Sequence, residues 1–261
     1  MQNDHLKWLL RDKYGWTAVQ LATFFAAPID VKTLPAEIQV DVARLEKGEP
    51  LAYVIGWTPF LNCKIDLQHL TLIPRPETEW WVGEVIKHWK KKTTVKVLDL
   101  CCGSGCVGVA FAKAVPQSNV DFADIDPKAI AQTRVNVELN SVGKQLGRYW
   151  NSDLYARIKG RYDLILSNPP YVNVSGQYGV ETTWEPHHAL FAQKSGFGLI
   201  EEIISESKNH LNPSGELWIE IGEDQGQTVR NMLGDEVKVM KDQFGKERVA
   251  VITESALRRQ S

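Results

Sequence analysis

The sequence predicts an α/β protein, a mostly parallel sheet covered by helices on both faces, with a small helical region and a β-hairpin ahead of it. Three observations carry this prediction. From Val95 onward short apolar runs alternate with helix-length segments, which is the pattern of a parallel sheet. Before that point the hydrophobic period changes from that of helices to that of a half-buried strand. The chain has 261 residues, room for one large domain and a small appendage at roughly 100 to 200 residues per domain.

Taken in order, residues 6–13 and 17–26 read as helices, and a third comes after Thr33, where Ile38, Val42 and Leu45 recur on one face and Gly48 ends the last turn. Leu61, Cys63, Ile65 and Leu67 then alternate with Asn62, Lys64, Asp66 and Gln68, the two-residue repeat of a strand, so a hairpin joins the helical region to the larger α/β region. Strands are expected at 95–100, 120–125, 149–151, 163–167 and 216–221, and helices at 106–115, 127–140, 197–210 and 225–232. The four lysines within 87–92 read as a solvated helix end. In such sheets ligands bind beyond the carboxyl ends of the strands, where strand order reverses.

Composition narrows the function classes. An apolar fraction of 43% with 24% charged residues is that of a globular chain with a sizeable core. Thirty basic against 32 acidic side chains leave a net charge of −2, so no global positive field draws the protein onto nucleic acid. No run reaches the eighteen or so apolar residues of a membrane span. Residues 1–11 are polar and mixed in charge, unlike a signal peptide, and a reducing cytoplasm is the expected location. Cys101, Cys102 and Cys106 crowd together and Cys63 lies apart; this is neither zinc-ligand nor disulfide spacing, and buried thiols with no metal are expected.

Val97-Leu98-Asp99-Leu100-Cys101-Cys102-Gly103-Ser104-Gly105 is a strand running into a glycine turn that opens a helix. Glycine lets the backbone turn tightly and approach a ligand. Gly103, Gly105 and Gly108 also satisfy the dinucleotide fingerprint, with Asp124 near the spacing of its ribose acid, so a nicotinamide site is one reading of the loop and a structural turn another. Asp99 favours a third. A carboxylate there would face the pyrophosphate of a dinucleotide but suits the cationic methionine end of S-adenosylmethionine. Asp124 then reads as the acceptor for the ribose hydroxyls, with Asp126, which precedes Pro127, as the competing helix cap.

Residues 163–167 form an apolar strand, and Asn168-Pro169-Pro170-Tyr171 comes immediately after it. Two prolines stop the strand and stiffen the backbone. The four residues answer a chemical difficulty: the lone pair of an amide or aromatic amine is delocalised and a poor nucleophile. Acceptors for both N–H protons, the Asn168 side-chain oxygen and the Pro169 carbonyl, favour a pyramidal nitrogen, and Tyr171 can stack on the planar group. Positioning for in-line displacement can supply roughly 7 to 11 kcal/mol. The motif suits amino-group acceptors without choosing between a protein amide and a nucleobase.

These motifs, with Pro50-Leu51-Ala52-Tyr53-Val54-Ile55-Gly56, Leu72-Ile73-Pro74-Arg75-Pro76-Glu77-Thr78-Glu79, Glu185-Pro186 with Ala189-Leu190 shortly after, and the 242–249 stretch, resemble the HemK/PrmC protein-(glutamine-N5) methyltransferases. The resemblance spans nearly the whole chain. It implies a class I S-adenosylmethionine-dependent methyltransferase domain, Rossmann-like, over 76–261, an N-terminal substrate-recognition domain over 1–50 and a hairpin linker over 51–75. It further implies that Cys101, Cys102, Gly103, Ser104, Gly105, Asp124 and Asn168 contact the donor, and that Asn168, Pro169, Pro170 and Tyr171 hold the glutamine of the Gly-Gly-Gln loop of a peptide chain release factor. Leu154 falls where relatives often place an aromatic near the adenine, with Tyr155 as a substitute, and Cys101 stands where many relatives have glycine. A monomer with no stable nucleic-acid partner is expected. The alternatives are an N6-adenine or other exocyclic-amine methyltransferase of DNA or RNA, and a ribosomal-protein glutamine methyltransferase.

Overall fold

The computed structural model describes residues 3–92, 94–173, 183–186, 191–192, 196–234 and 237–259. Four helices open the chain: α1 (Asn3–Asp12), α2 (Ala18–Phe25), α3 (Ala36–Glu46) and α4 (Leu51–Ile55). A capping box starts α2, the Thr17 side chain accepting from the Gln20 amide while the Gln20 side chain accepts from the Thr17 amide. Leu6, Leu9, Leu10, Leu21, Ile38, Val42 and Val54 pack into one apolar cluster of their own. The short α4 has no counterpart in the sequence reading; it ends at Gly56, whose φ of 94° is the left-handed value that glycine takes without penalty.

Strands β1 (Trp57–Phe60) and β2 (Cys63–Asp66) form the hairpin. The alternation seen in sequence belongs to β2, and Leu61 is in the turn, with φ 48°. Phe60, Cys63, Ile65 and Leu67 are buried in the main core with Trp81, Val85 and Phe111.

What fixes the hairpin is a row of amides on the later helix α7 (Pro127–Leu139) and its cap. Asn140 Oδ1 accepts from the Lys64 amide at 3.1 Å and its Nδ2 donates to the Lys64 carbonyl at 2.8 Å. Asn136 repeats the pattern on Asp66, at 2.7 and 3.0 Å, and Gln132 accepts from the His69 amide. Side chains at i, i+4 and i+8 share one helix face, so α7 supplies the polar groups a neighbouring strand would supply and closes an otherwise unpaired edge.

Between hairpin and sheet lies α5 (Pro76–Trp89), of which the sequence predicts only the lysine-rich end. Thr78, Trp81, Val82, Val85 and Trp89 are its buried face, and a proline at its first turn suits the start of a helix. The chain continues through β3 (Val95–Leu100), α6 (Cys106–Ala114), β4 (Ser118–Asp124), α7, β5 (Leu146–Asn151), β6 (Tyr162–Ser167), the short pair β7 (Val172–Asn173) and β8 (Phe191–Ala192), α8 (Gly198–Ser207), β9 (Leu211–Glu220), α9 (Gly226–Leu233), β10 (Lys238–Lys241), β11 (Glu247–Thr253) and α10 (Glu254–Arg258).

The seven-stranded sheet has the order β10-β11-β9-β6-β3-β4-β5. β3 is parallel to both β4 and β6, while β11 is antiparallel to β9 and β10. The α/β expectation holds, with β10 and β11 as a hairpin edge that the sequence reading omits. Strand order reverses between β3 and β6, where the chain goes one way to β4 and later returns to lay down β6. Successive residues of β3 serve opposite layers: Val95 and Val97 join the core beneath α5 and α6, Leu98 and Leu100 the core beneath α8 and α9. Among the described residues, no helix is long and apolar enough to cross a membrane.

Candidate active site

At the switch point, the carboxyl ends of β3, β4, β5 and β6 frame a cavity of about 460 Å³, within the range of small-molecule sites. Cys101 to Ser104 form one wall and Ala123 to Asp126 another, with Ser152 to Leu154, Asn168 and Pro170 closing the sheet side. Leu72, Pro74 and Thr78 come in from the segment before and within α5, and Leu199 and Glu202 from α8. Of these last five, only Leu72, Pro74 and Thr78 lie in a motif that the sequence singles out. Thr71 is also in the wall, and its buried Oγ1 finds no protein partner among the described residues.

Asp124 organises the loop. Its carboxylate accepts the Gly103 amide and the Asp126 amide, both at 2.9 Å. Asp126 in turn caps α7, accepting from the Lys128 amide at 2.8 Å. Gly105 begins α6 with φ 75°, and a Cβ on it would lie 2.7 Å from the Thr133 methyl, so both conformation and space demand glycine. Cys101 holds φ 60° without being glycine, and Leu154 holds φ 40°. Strain of this kind, on the order of 1–3 kcal/mol, clusters at functional sites. Burial pushes the thiols of Cys101, Cys102 and Cys106 up, which keeps them protonated and unreactive; all four cysteines are free.

Asp99 departs from expectation. It is 1% exposed, is absent from the cavity wall and accepts the Gly108 amide at 2.8 Å. The cause is strand alternation: Asp99 shares its face with Val97 and points under α6, away from the cavity. Burial, with the neighbouring Asp124 charge adding to it and the Gly108 bond opposing, pushes its carboxyl up to about 7. A folded-state value above the ordinary 3.8 means that the folded protein binds this proton more tightly than the unfolded chain does. The associated stability is complete below about pH 4 and lost as pH rises through about 7, by up to about 1.4 kcal/mol per pH unit. Asp99→Asn keeps the acceptor for Gly108 and removes the titration. Denaturation midpoints of the variant are therefore expected to stay flatter than those of wild type between about pH 4 and pH 7, and parallel curves would show that another group titrates.

Tyr155 also departs. It is buried in the core, stacks on His210 with centroids 4.5 Å apart and directs its hydroxyl to the Ile203 carbonyl, so it cannot replace the aromatic expected near Leu154. Leu154 lines the cavity itself, facing the same space as Ile125.

On the opposite side, Asn168 sits at the end of β6, its Nδ2 donating to Thr78 Oγ1 at 3.2 Å. Pro169 is buried, and Pro170 is in the wall. Tyr171 is not among the lining residues; its hydroxyl donates to Glu220 Oε1 at 2.9 Å. Two motifs far apart in sequence meet at the rim: the Arg75 guanidinium pairs with Glu185, and Glu185 Oε2 accepts the Ile73 amide at 3.1 Å. This ties the Ile73 to Arg75 segment to Glu185. His187, His188, Ala189 and Leu190 lie outside the described residues. Trp81 is core, Trp80 packs against it, and Trp184 is 38% exposed.

A family model described as "Methyltransferase small domain" matches residues 84–255. The release factor glutamine methyltransferase of Lactococcus lactis is 34% identical over 214 residues, covering 79% of this chain and 78% of that protein. Its counterpart in Streptococcus pneumoniae is 35% identical over 217 residues, 80% of this chain and 76% of that one. The chain belongs to the release factor glutamine methyltransferases. It is thus a methyltransferase by descent as well as by motif. The fold agrees: a ribosomal protein L11 methylase from Lactobacillus delbrueckii superposes with a TM-score of 0.53 at 19% identity, covering 71% of this chain and 82% of the other. A T. thermophilus 16S rRNA N2 G1207 methyltransferase, solved with AdoMet and guanosine, gives 0.54 at 14% identity, covering 76% and 49%. For a release factor glutamine methyltransferase the sequence reading misses two groups of consequence, Leu199 and Glu202 of α8 and the Glu220 carboxylate. None stands in a recognisable string; only the fold brings them to the site.

Proposed function

We propose that this protein transfers the methyl group of S-adenosylmethionine to the side-chain amide nitrogen of the glutamine in the Gly-Gly-Gln loop of a peptide chain release factor, releasing S-adenosylhomocysteine and one proton of the amide to solvent. The observation that carries the reading is that Asp124 and Asn168 line one cavity at the strand-order switch, in a chain of this family. The cavity fits the donor in size and in chemistry: a carboxylate for the ribose hydroxyls at Asp124, apolar surfaces for the adenine at Leu154 and Ile125, and in Thr71 a buried hydroxyl without a protein partner among the described residues. When bound, the donor supplies an electrophilic methyl on a sulfonium.

The chain's own residues then do the positioning. Asn168 Oδ1 and the Pro169 carbonyl accept the two N–H protons of the glutamine amide, drawing its lone pair out of conjugation. Cys101 to Gly105 cradle the donor through backbone groups, and Pro170 gives a rigid floor. Tyr171 borders the acceptor amide, with its hydroxyl anchored on Glu220. The α1–α3 unit, which has a separate core and contributes nothing to the cavity wall, docks the partner protein. The enzyme works as a cytoplasmic monomer without stable nucleic-acid contacts.

A matched assay tests this. Methyl incorporation is expected into a release factor, and is expected to vanish when the Gly-Gly-Gln glutamine is replaced by alanine. Adenine-containing DNA and RNA should take up none. The reaction should also show a modest salt slope, unlike the thousand-fold or greater loss, on the order of 10³–10⁵, seen for proteins that make many phosphate contacts. Equal incorporation into the variant, or incorporation into nucleic acid, would promote the nucleobase alternative.

A further inference from the structure

Asn168 has two chemically opposite ends, and only one of them suits the reaction. Its oxygen can accept a proton of the acceptor amide; its NH2 would repel it. The two ends are nearly the same shape, so sterics alone do not choose between them. The choice is made by groups behind the motif. Thr78 Oγ1, 3.2 Å from Asn168 Nδ2, is also 2.7 Å from Glu220 Oε2. Trp81 Nε1 donates to the same Oε2 at 2.7 Å, and the Tyr171 hydroxyl to Oε1 at 2.9 Å. Glu220, Thr78 and Trp81 are all 1% exposed or less, so water does not compete for these bonds. Burial pushes the Glu220 carboxyl up, and against it the three converging donors, Trp81, Thr78 and Tyr171, and the Arg248 guanidinium, 3.5 Å beyond the Tyr171 hydroxyl, favour the carboxylate form.

We infer that Glu220 and Thr78 are positioning residues that set the polarity of the Asn168 amide, and that Glu220 clamps both ends of the Asn168-Pro169-Pro170-Tyr171 motif. An ionised carboxylate only accepts, so the Thr78 hydroxyl must give it its single proton. Only lone pairs of Thr78 then face Asn168, and the amide must turn its NH2 inward and its oxygen outward. Tyr171 is held by the other oxygen of the same carboxylate. The elements involved, the first turn of α5, the end of β9 and the loop after β6, are far apart in the chain, and one buried group registers them. Fully satisfied buried networks of this kind hold a unique geometry. The inference rests on the reading of Asn168 as an acceptor for the substrate amide.

The test compares turnover and donor affinity in Thr78→Val, Thr78→Ser, Glu220→Gln and Asn168→Ala, using the full chain with a release factor. Thr78→Val keeps the shape and deletes the hydroxyl, and kcat is expected to fall by about tenfold or more with donor affinity, read by calorimetry, little changed. Thr78→Ser restores the hydroxyl and should recover most of that loss, which a packing role would not predict. Glu220→Gln offers one acceptor oxygen where three donors converge, so one arm of the clamp lets go and kcat again falls. Thr78→Ala carries the same expectation should Thr78→Val fail to fold. If kcat stays within about threefold of wild type in Thr78→Val or Glu220→Gln while Asn168→Ala is inactive, the clamp is overturned and the acceptor reading stands. A Thr78→Ser enzyme as impaired as Thr78→Val overturns it equally, and an active Asn168→Ala overturns both readings.

Discussion

Asn168→Ala is expected to lower turnover by two to three orders of magnitude while leaving donor binding nearly intact. In the proposed reaction the hydrogen bond from the acceptor amide to Asn168 Oδ1 strengthens as the nitrogen pyramidalises, so it contributes more to the transition state than to the ground state. Loss of one such preorganised partner typically costs about 3 to 4 kcal/mol of transition-state stabilisation. The structure sharpens the expectation, because Asn168 is preset by its bond to Thr78 and has little reorganisation left to do on binding. The same substitution leaves Thr78 and Glu220 bonded to each other, so the fold should hold. Single-turnover kinetics with saturating donor measure the effect directly. A rate within about threefold of wild type would remove Asn168 from the mechanism.

The parts of the site that are legible in sequence are those whose chemistry is local. Gly103 to Gly105 and Asn168 to Tyr171 are contiguous strings at strand ends, and their conformational demands are written in glycine and proline. The Asp126 cap is legible for the same reason, since a cap and its helix are neighbours. Asp99 is misplaced by sequence because the string that contains it does not say which face of β3 meets the cavity; the alternation of Val97 with Leu98 and Leu100 between two cores decides it. Tyr155 is misplaced by one residue's worth of the same ambiguity, with its ring taken up by His210. Glu220 reads in sequence as the polar end of an apolar strand. Its three donors, from Thr78, Trp81 and Tyr171, come from segments that only tertiary packing assembles.

The fold shows the same division. The βα alternation from Val95 onward announces the parallel sheet, because each unit carries its own hydrophobic period. β10 and β11 escape notice, and so does the length of α5. The buried face of α5 contains Thr78 and two tryptophans, residues whose burial depends on Glu220 and the hairpin rather than on a run of aliphatic side chains. The amide row of α7 is a further case: Gln132, Asn136 and Asn140 look like an exposed polar face in sequence, yet all three are buried against the hairpin backbone. A polar stripe on a helix is solvated unless another element presents unpaired backbone to it, and the sequence of the helix alone does not hold that information.

Asp124 and Asp126 stand two residues apart at the same cavity, and replacing each by alanine is expected to give opposite results. On the proposed donor reading, Asp124→Ala removes a charged acceptor from two ribose hydroxyls, each such bond being worth roughly 1.5 to 3 kcal/mol. It also releases the Gly103 amide that the carboxylate holds at 2.9 Å, so the glycine loop loses its tether. Donor affinity should fall by about a hundredfold or more, since each 1.4 kcal/mol is roughly a factor of ten. Asp126→Ala removes the cap on the Lys128 amide, which costs about 0.5 to 2 kcal/mol of stability. The rest of the α7 frame, held through Asn136 and Asn140 on the hairpin, stays in place, and donor affinity should change little. Calorimetric titration of the donor into each variant, paired with chemical denaturation, separates the two effects. Should Asp126→Ala lose the donor and Asp124→Ala only stability, the ribose would belong to the capping carboxylate, and Asp124 would be a structural tie between β4 and the glycine loop.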